Sequence, residues 1–222
     1  MSVVVDRVIR SKRRTIALIV ENDGSITVRT PIRMPESSIH EFVEKHVKWV
    51  EKKKAEMHAA TPVLAKQYLP GETFLYLGKA YALELVKDQK KKLILDDRFR
   101  LSEAEQENAE LVFQNWYRQQ AKSLIFERVK YFADIHQLHY EKITITSART
   151  RWGSCSPKNA ISFSWRLIMT PLEIVDYVVV HELAHTVHHN HSKRFWSLVE
   201  KILPDYKERR KWLRRYGQEA LL

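Results

Sequence analysis

Residues 170 to 191 constrain this 222-residue chain more tightly than any other stretch. Thr170-Pro171-Leu172-Glu173 reads as a helix start, with threonine as N-cap, proline at the first position and glutamate at the third. Ile174, Val175, Val178, Val179, Leu183 and Val187 make the following helix apolar nearly all round, which predicts a buried central helix. The run Val178-Val179-Val180 favours a strand by propensity, but the start signal and burial outweigh that preference. His181, Glu182 and His185 are set into this helix. Burying three polar side chains is costly unless they are paired or bind a metal. Residues one helical turn apart share a face, so His181 and His185 can offer two imidazoles to one ion. Glu182 points away from that face, where it can reach a metal-bound water. Neutral imidazole with one position open for water suits a single zinc ion.

A catalytic zinc needs a third protein ligand. Asn190 is a plausible left-handed terminator of the helix, after which His191 can swing back toward His181 and His185. His188 and His189, expected still on the helix, are rivals. Glu200, on the following helix, is the competitor in a two-histidine, one-carboxylate site, or else orients the ligands from behind. His191 is the expected ligand. Such a site hydrolyses: zinc acidifies water and Glu182 takes the proton as general base. A cation must then meet the developing oxyanion, and Arg149, Arg151 and Arg166, flanking the strands before the helix, are the candidates.

The rest of the chain reads as α+β. Strands are expected over Val3–Ile9, Thr15–Glu21 and Ser25–Thr30, linked by the basic turn Ser11–Arg14 and by Asn22-Asp23-Gly24, a hairpin signal. A helix capped by Ser38 with Glu41 carries Phe42, Val43, Val47, Trp49 and Val50 and fades near Met57. Residues 61–71 connect to two hairpins, one turning at Gly78-Lys79 and one at Asp96-Asp97. Ser102 then starts a helix to about His136, long enough that an internal break is expected. Strands over Lys142–Thr150 and Ala160–Leu167 form a further hairpin around a turn-rich segment. Ser192 and Pro204-Asp205 open two last helices, the second ending near Gly217. The expected partition is a β-rich region over residues 1–101 and a catalytic domain over 102–222.

A net charge of +11 favours a polyanionic partner. The last helix interleaves Lys207, Arg209, Arg210, Lys211, Arg214 and Arg215 with Tyr206, Trp212 and Tyr216, a pattern able to contact phosphates and stack on bases. A nucleic-acid module with a structural zinc is therefore the reading to set against an enzyme. A lone cysteine, Cys155, with no signal-peptide pattern and no apolar run of membrane-spanning length, predicts a cytoplasmic protein without a membrane partner.

Arg151-Trp152-Gly153-Ser154-Cys155-Ser156, the strand to Leu167, the run Tyr177 to His185 and Asn190-His191-Ser192-Lys193-Arg194-Phe195-Trp196 closely resemble the YgjP-like family of zinc-dependent metallohydrolases, relatives of SprT-like metallopeptidases in the zincin clan. The resemblance implies a zincin-like domain with His181, His185 and His191 as zinc ligands and Glu182 as the catalytic glutamate. Ser164 stands where many relatives carry asparagine. The offset from His185 to His191 is shared with metzincins, but His188 replaces their glycine. Two substrate classes are implied, a peptide or protein and a nucleoside triphosphate, since members are also described as UTP pyrophosphatases. In the peptidase reading, the Ile161-Phe163-Trp165 strand is the expected sheet edge for an extended peptide.

Overall fold

The computed structural model describes residues 4–21, 23–59 and 66–217, with the side chains of 56–59 left aside. Val3, Asn22 and residues 61–65 of the expected connection lie outside the described residues. The chain divides into two compact units, residues 1–64 and 65–222.

The first unit is a three-stranded sheet with two helices. Its strands are β1 (Arg7–Ser11), β2 (Ala17–Val20) and β3 (Ile26–Pro31), in the order β1-β3-β2. β2 and β3 form the expected antiparallel hairpin, with Gly24 at φ 81° in the turn, a backbone region open to glycine. β1 pairs with β3 in parallel, so the basic Ser11–Arg14 link is a crossover and not a hairpin turn. The first helix, α1 (Glu36–Lys45), starts two positions before Ser38, with Pro35 at its N-cap and no side-chain cap. Glu41 turns instead to Lys45, 2.7 Å away, so the expected capping box is absent. At His46 the chain breaks before α2 (Val47–Ala59), and the His46 ring takes up the freed carbonyl of Phe42 at 2.7 Å. That break explains why Val50 is buried while Trp49, expected on the same stripe, stays 44% exposed.

The second unit opens with β4 (Thr73–Tyr76), β5 (Lys79–Val86), β6 (Leu93–Leu95) and β7 (Phe99–Ser102), ordered β4-β5-β7-β6. Both expected hairpins form, and Leu77 and Gly78 at φ 48° and 77° give the left-handed turn that matches strand twist. Phe74, Leu83, Leu93, Phe99 and Leu101 belong to one continuous core with the long helix that follows. Phe74 and Phe113 stack at 4.3 Å, and Phe99 meets Trp116 edge-on at 5.0 Å. The expected boundary after residue 101 thus falls inside a shared core, and the compact units divide near residue 64 instead.

A 3-10 turn, Glu103–Asn108, leads into α3 (Ala109–His136), which Gln137 ends in a left-handed conformation at φ 53°. α3 runs unbroken over its 28 residues, so the expected internal break is absent, and the stretch changes from 3-10 to α only at its start. Next come β8 (Lys142–Thr146), β9 (Gly153–Cys155) and β10 (Ala160–Ser164), in the order β8-β10-β9. The expected hairpin between the first and last of these is not formed. β8 and β10 run parallel, and the antiparallel partner of β10 is β9, from the segment read as turns. Trp165–Met169 is a 3-10 turn rather than more strand.

Helices α4 (Leu172–Ala184), α5 (Lys193–Ile202) and α6 (Tyr206–Tyr216) complete an α+β architecture. Pro171, not Thr170, is the N-cap of α4; the Thr170 hydroxyl donates backward to the Leu167 carbonyl at 2.7 Å. Gly78 is required here, because a Cβ on it would stand 2.7 Å from Pro171 Cγ. α4 packs against α3, α5 and α6 and is anchored to α3 by one polar contact. Arg128 donates to both Asp176 oxygens at 2.6 and 2.8 Å, with its guanidinium over the rings of Tyr131 and Phe132. Among the described residues no helix is long and apolar enough to cross a membrane.

Removing one member of a mostly buried ion pair strands the other. Asp176→Ala should therefore lower unfolding stability by roughly 3 kcal/mol in urea titration at neutral pH. Asp176→Ala with Arg128→Met should recover part of that loss; equal stability of Asp176→Ala and the parent would show that the pair does not anchor α4.

Candidate metal centre

α4 lies within the core: Val175, Val178, Val179, Val180 and Leu183 are all buried. The helix therefore carries its polar groups into a region with little water. His181 and His185 project from one face at its C-terminal end, as their spacing predicts.

α4 stops at Ala184, with His185 as C-cap, so His188, His189 and Asn190 lie beyond the helix rather than on it. The stop is made by local bonds. Thr186 N–H donates to Leu183 O at 3.0 Å, His188 N–H to Ala184 O at 2.9 Å, and the Thr186 hydroxyl to Leu183 O at 2.8 Å. Asn190 is no left-handed terminator; its side-chain oxygen accepts from Ser192 N–H at 3.2 Å and turns the chain into α5. This short turn brings His191 back over the helix end. Ligand nitrogens of His181, His185 and His191 all lie within 4.8 Å of one another. His181 Nε2 and His191 Nε2 are 3.1 Å apart. Two ligands on a tetrahedral zinc, at about 2.1 Å each, would be about 3.4 Å apart, so the spacing fits one ion.

Second contacts select the nitrogens. His185 Nδ1 lies 3.0 Å from the His188 carbonyl, which can only accept, so Nδ1 carries the proton and Nε2 is left as the ligand atom. The main chain of His188 thus orients the His185 ring. His181 Nδ1 is buried without a hydrogen-bond partner. Burial, with His185, His191 and Arg210 nearby, pushes the His181 pKa down to about 3, which keeps the ring neutral as a ligand must be. Burial also lowers His185. Phe195 and Trp196 of α5 close the apolar wall: Phe195 lies 4.5 Å from the His185 ring, and Trp196 stacks on His191 at 5.5 Å. Converging rings and neutral imidazoles suit a bound cation.

Glu182 is 6% exposed and lies outside this ligand group. Burial pushes its carboxyl up to about 8, against a smaller pull from Arg151. β9 presses on it directly: a Cβ at Gly153 would fall 2.6 Å from Glu182 Cγ and 2.7 Å from its Oε1. Cys155, on the same face of β9, has its thiol pushed up by burial and by the Glu182 charge. Gly153 was hidden in the turn-rich sequence, and its glycine among so few in the chain was the one available signal.

The arginines separate. Arg151 is exposed and acts on Glu182 electrostatically. Arg149 is exposed on the loop before β9. Arg166 is 3% exposed, with its guanidinium 4.2 Å over the Trp165 ring and donating to Ser147 O at 3.2 Å, which makes it a packing residue. Ser164 is likewise occupied, donating to Ala148 O at 2.7 Å. Glu200 is exposed and paired with Lys207 at 3.0 Å, away from the ligand group. The Ile161-Phe163-Trp165 segment is no sheet edge, because β10 is central and Trp165 lies in the 3-10 turn; β8 and β9 are the edges.

The raised Glu182 pKa predicts a pH signature in metal-stripped protein. The native state holds the proton more tightly than the unfolded chain between about pH 4.5 and 8. Stability from this group is therefore full below that window and is lost as pH rises through it. Glu182→Gln removes this dependence and leaves the histidine contributions in place. In chelator-treated samples the variant should match the parent near pH 5 and exceed it near pH 8 by a few kcal/mol, at ~1.4 kcal/mol per pKa unit. A constant difference across pH, in thermal melts, would contradict the buried neutral carboxyl.

Comparison with known proteins follows from this geometry. Neither a curated protein nor a solved structure gives a match to the chain. The family model described as YgjP-like, metallopeptidase domain, matches residues 14–216, spanning both units. The chain belongs to the YgjP-like metallopeptidase-domain family, a family of hydrolases.

Proposed function

We propose that this protein is a zinc-dependent peptidase in which Glu182 is the general base. The carrying observation is the contact between Glu182 and Gly153: the one buried carboxylate beside the histidines is pressed against an edge strand. His181, His185 and His191 would hold the ion, through the Nε2 atom in the case of His185. When bound, zinc supplies Lewis acidity that polarises a carbonyl and makes water acidic near neutral pH.

The chain's own residues do the rest. Glu182 accepts the proton of the attacking water and carries it to the leaving amine. Its burial keeps its pKa near the working pH, where a general base is most effective, while a cation beside it favours the carboxylate. β9 has a strand neighbour on one side only, so an extended peptide can pair with its free edge next to Glu182. Arg151 is the candidate for meeting charge that develops on the substrate. Arg151 also supports a second reading, hydrolysis of a nucleoside triphosphate such as UTP at the same centre, because an exposed guanidinium beside the base suits a phosphate oxygen.

Zinc-loaded protein should be screened for turnover of unfolded proteins and peptides beside nucleoside triphosphates, with a chelator control. Peptide cleavage that the chelator abolishes is expected; cleavage of triphosphates alone would select the second reading. Glu182→Gln should keep its zinc and lose about 10²–10⁴ in kcat. Full turnover in that variant would remove Glu182 from the mechanism. Gly153→Ala should also retain zinc, while its new methyl displaces Glu182 and lowers kcat by about tenfold or more; unchanged kcat would show that β9 does not position the base.

A further inference from the structure

Helix α6 divides its surface sharply. Tyr206 and Leu213 turn into the core, and Gly217, just past its end, lies against Trp152. Lys207, Arg210, Lys211, Arg214 and Arg215 follow the i, i+3, i+4, i+7, i+8 spacing of a single helix face. They line a groove of about 400 Å³. Like charges at such spacings weaken a helix, so the arrangement is not one that folding alone favours. Lys207 is paired with Glu200, whereas Arg210, Lys211, Arg214 and Arg215 have no carboxylate partner among the described residues. A groove of that lining suits neither an apolar ligand nor a peptide without acidic residues.

The groove also has a place in the fold. The Arg210 guanidinium lies 4.4 Å over the ring of Trp196, which itself stacks on His191 at 5.5 Å. Arg210 and Arg214 both act on Tyr177, whose ring is 5.9 Å from His181. The cationic face therefore passes beside the histidine cluster. Trp212 and Tyr216, both half-buried, lie 5.4 Å apart on another side of the helix, with Arg215 reaching over Tyr216.

We propose that this face of α6 binds the phosphodiester backbone of a nucleic-acid strand, laid alongside the metal centre. From Lys207 to Arg215 the helix rises about 12 Å, the length over which one strand of a duplex presents three to four phosphates at ~3.4 Å each. A mononucleotide would engage one end of the stripe. Trp212 and Tyr216 supply ring faces on which a base can stack. This inference does not depend on the bond that the metal centre cuts.

The test is fluorescence anisotropy of the full zinc-loaded chain with labelled 20-mer single-stranded DNA, single-stranded RNA and duplex DNA. For single strands, log K should fall with log salt at about −0.7 per phosphate engaged. Three to four engaged phosphates therefore predict a slope of about −2 to −3 and a loss of about 20- to 50-fold between 50 and 200 mM salt. Lys211→Glu with Arg214→Glu should weaken binding at least tenfold and flatten the slope, while circular dichroism and zinc content remain those of the parent. Binding of any of the three oligonucleotides with this salt and variant dependence supports the proposal. Equal binding by the double variant, a slope shallower than about −1, or capture of inorganic tripolyphosphate or polyglutamate without oligonucleotide binding overturns it. Peptide turnover measured on the same samples reports separately on the hydrolytic reading.

Discussion

Helix α4 is walled by apolar neighbours along most of its length, and each ionisable group on it is held in a state that burial permits. Asp176 is paired, with Arg128 donating to both of its oxygens. Glu182 has no such partner, and burial shifts it toward the neutral acid. His181 is shifted toward the neutral base, with one nitrogen left unsatisfied. An unpaired buried polar atom of this kind costs about 1–3 kcal/mol. Structural anchoring and chemical readiness thus occupy opposite ends of one helix.

What turns two histidines into a three-ligand cluster is the way that helix ends. The bonds from Thr186 and His188 back to Leu183 and Ala184 close the last turn, and the Asn190–Ser192 contact redirects the chain. His191 then faces His181, and the His188 carbonyl sets the proton on His185. β9 supplies the other wall, where Gly153 leaves room for the Glu182 side chain. A methyl group at one position or a longer turn at the other would separate Glu182 from the three histidines.

Much of this was legible in the residues. The helix register of His181, Glu182 and His185 follows from spacing alone, and an all-round apolar pattern announced its burial. The hairpins before α3 were legible through their turns, although the first turns at Leu77-Gly78, one residue before the expected Gly78-Lys79. The caps differ from Ser38 and Thr170 because Pro35, three residues before Ser38, and Pro171, directly after Thr170, are the N-caps, and the Thr170 hydroxyl donates to the Leu167 carbonyl instead. β9 was hidden because three residues, Gly153, Ser154 and Cys155, carry no alternation or β-branched signal. Without β9, the order of its sheet could not be inferred, and β10 was mistaken for an edge. The boundary between units was misplaced for a related reason: composition changes at residue 102, but the sheet before it has its apolar face against α3. Burial of Arg166 on Trp165 is a tertiary fact with no local signature.

The central claim is that His181, His185 and His191 gather one zinc ion while Glu182 stays outside its coordination as the base. The most direct measurement is a crystal structure of the zinc-loaded protein with anomalous scattering recorded at the zinc edge. One peak is predicted, with a nitrogen of each of the three histidines at about 2.0–2.1 Å and the Glu182 carboxylate not bonded to the ion. A peak ligated by Glu200 or Glu182 in place of His191, or a zinc ion held away from these three rings, would contradict it.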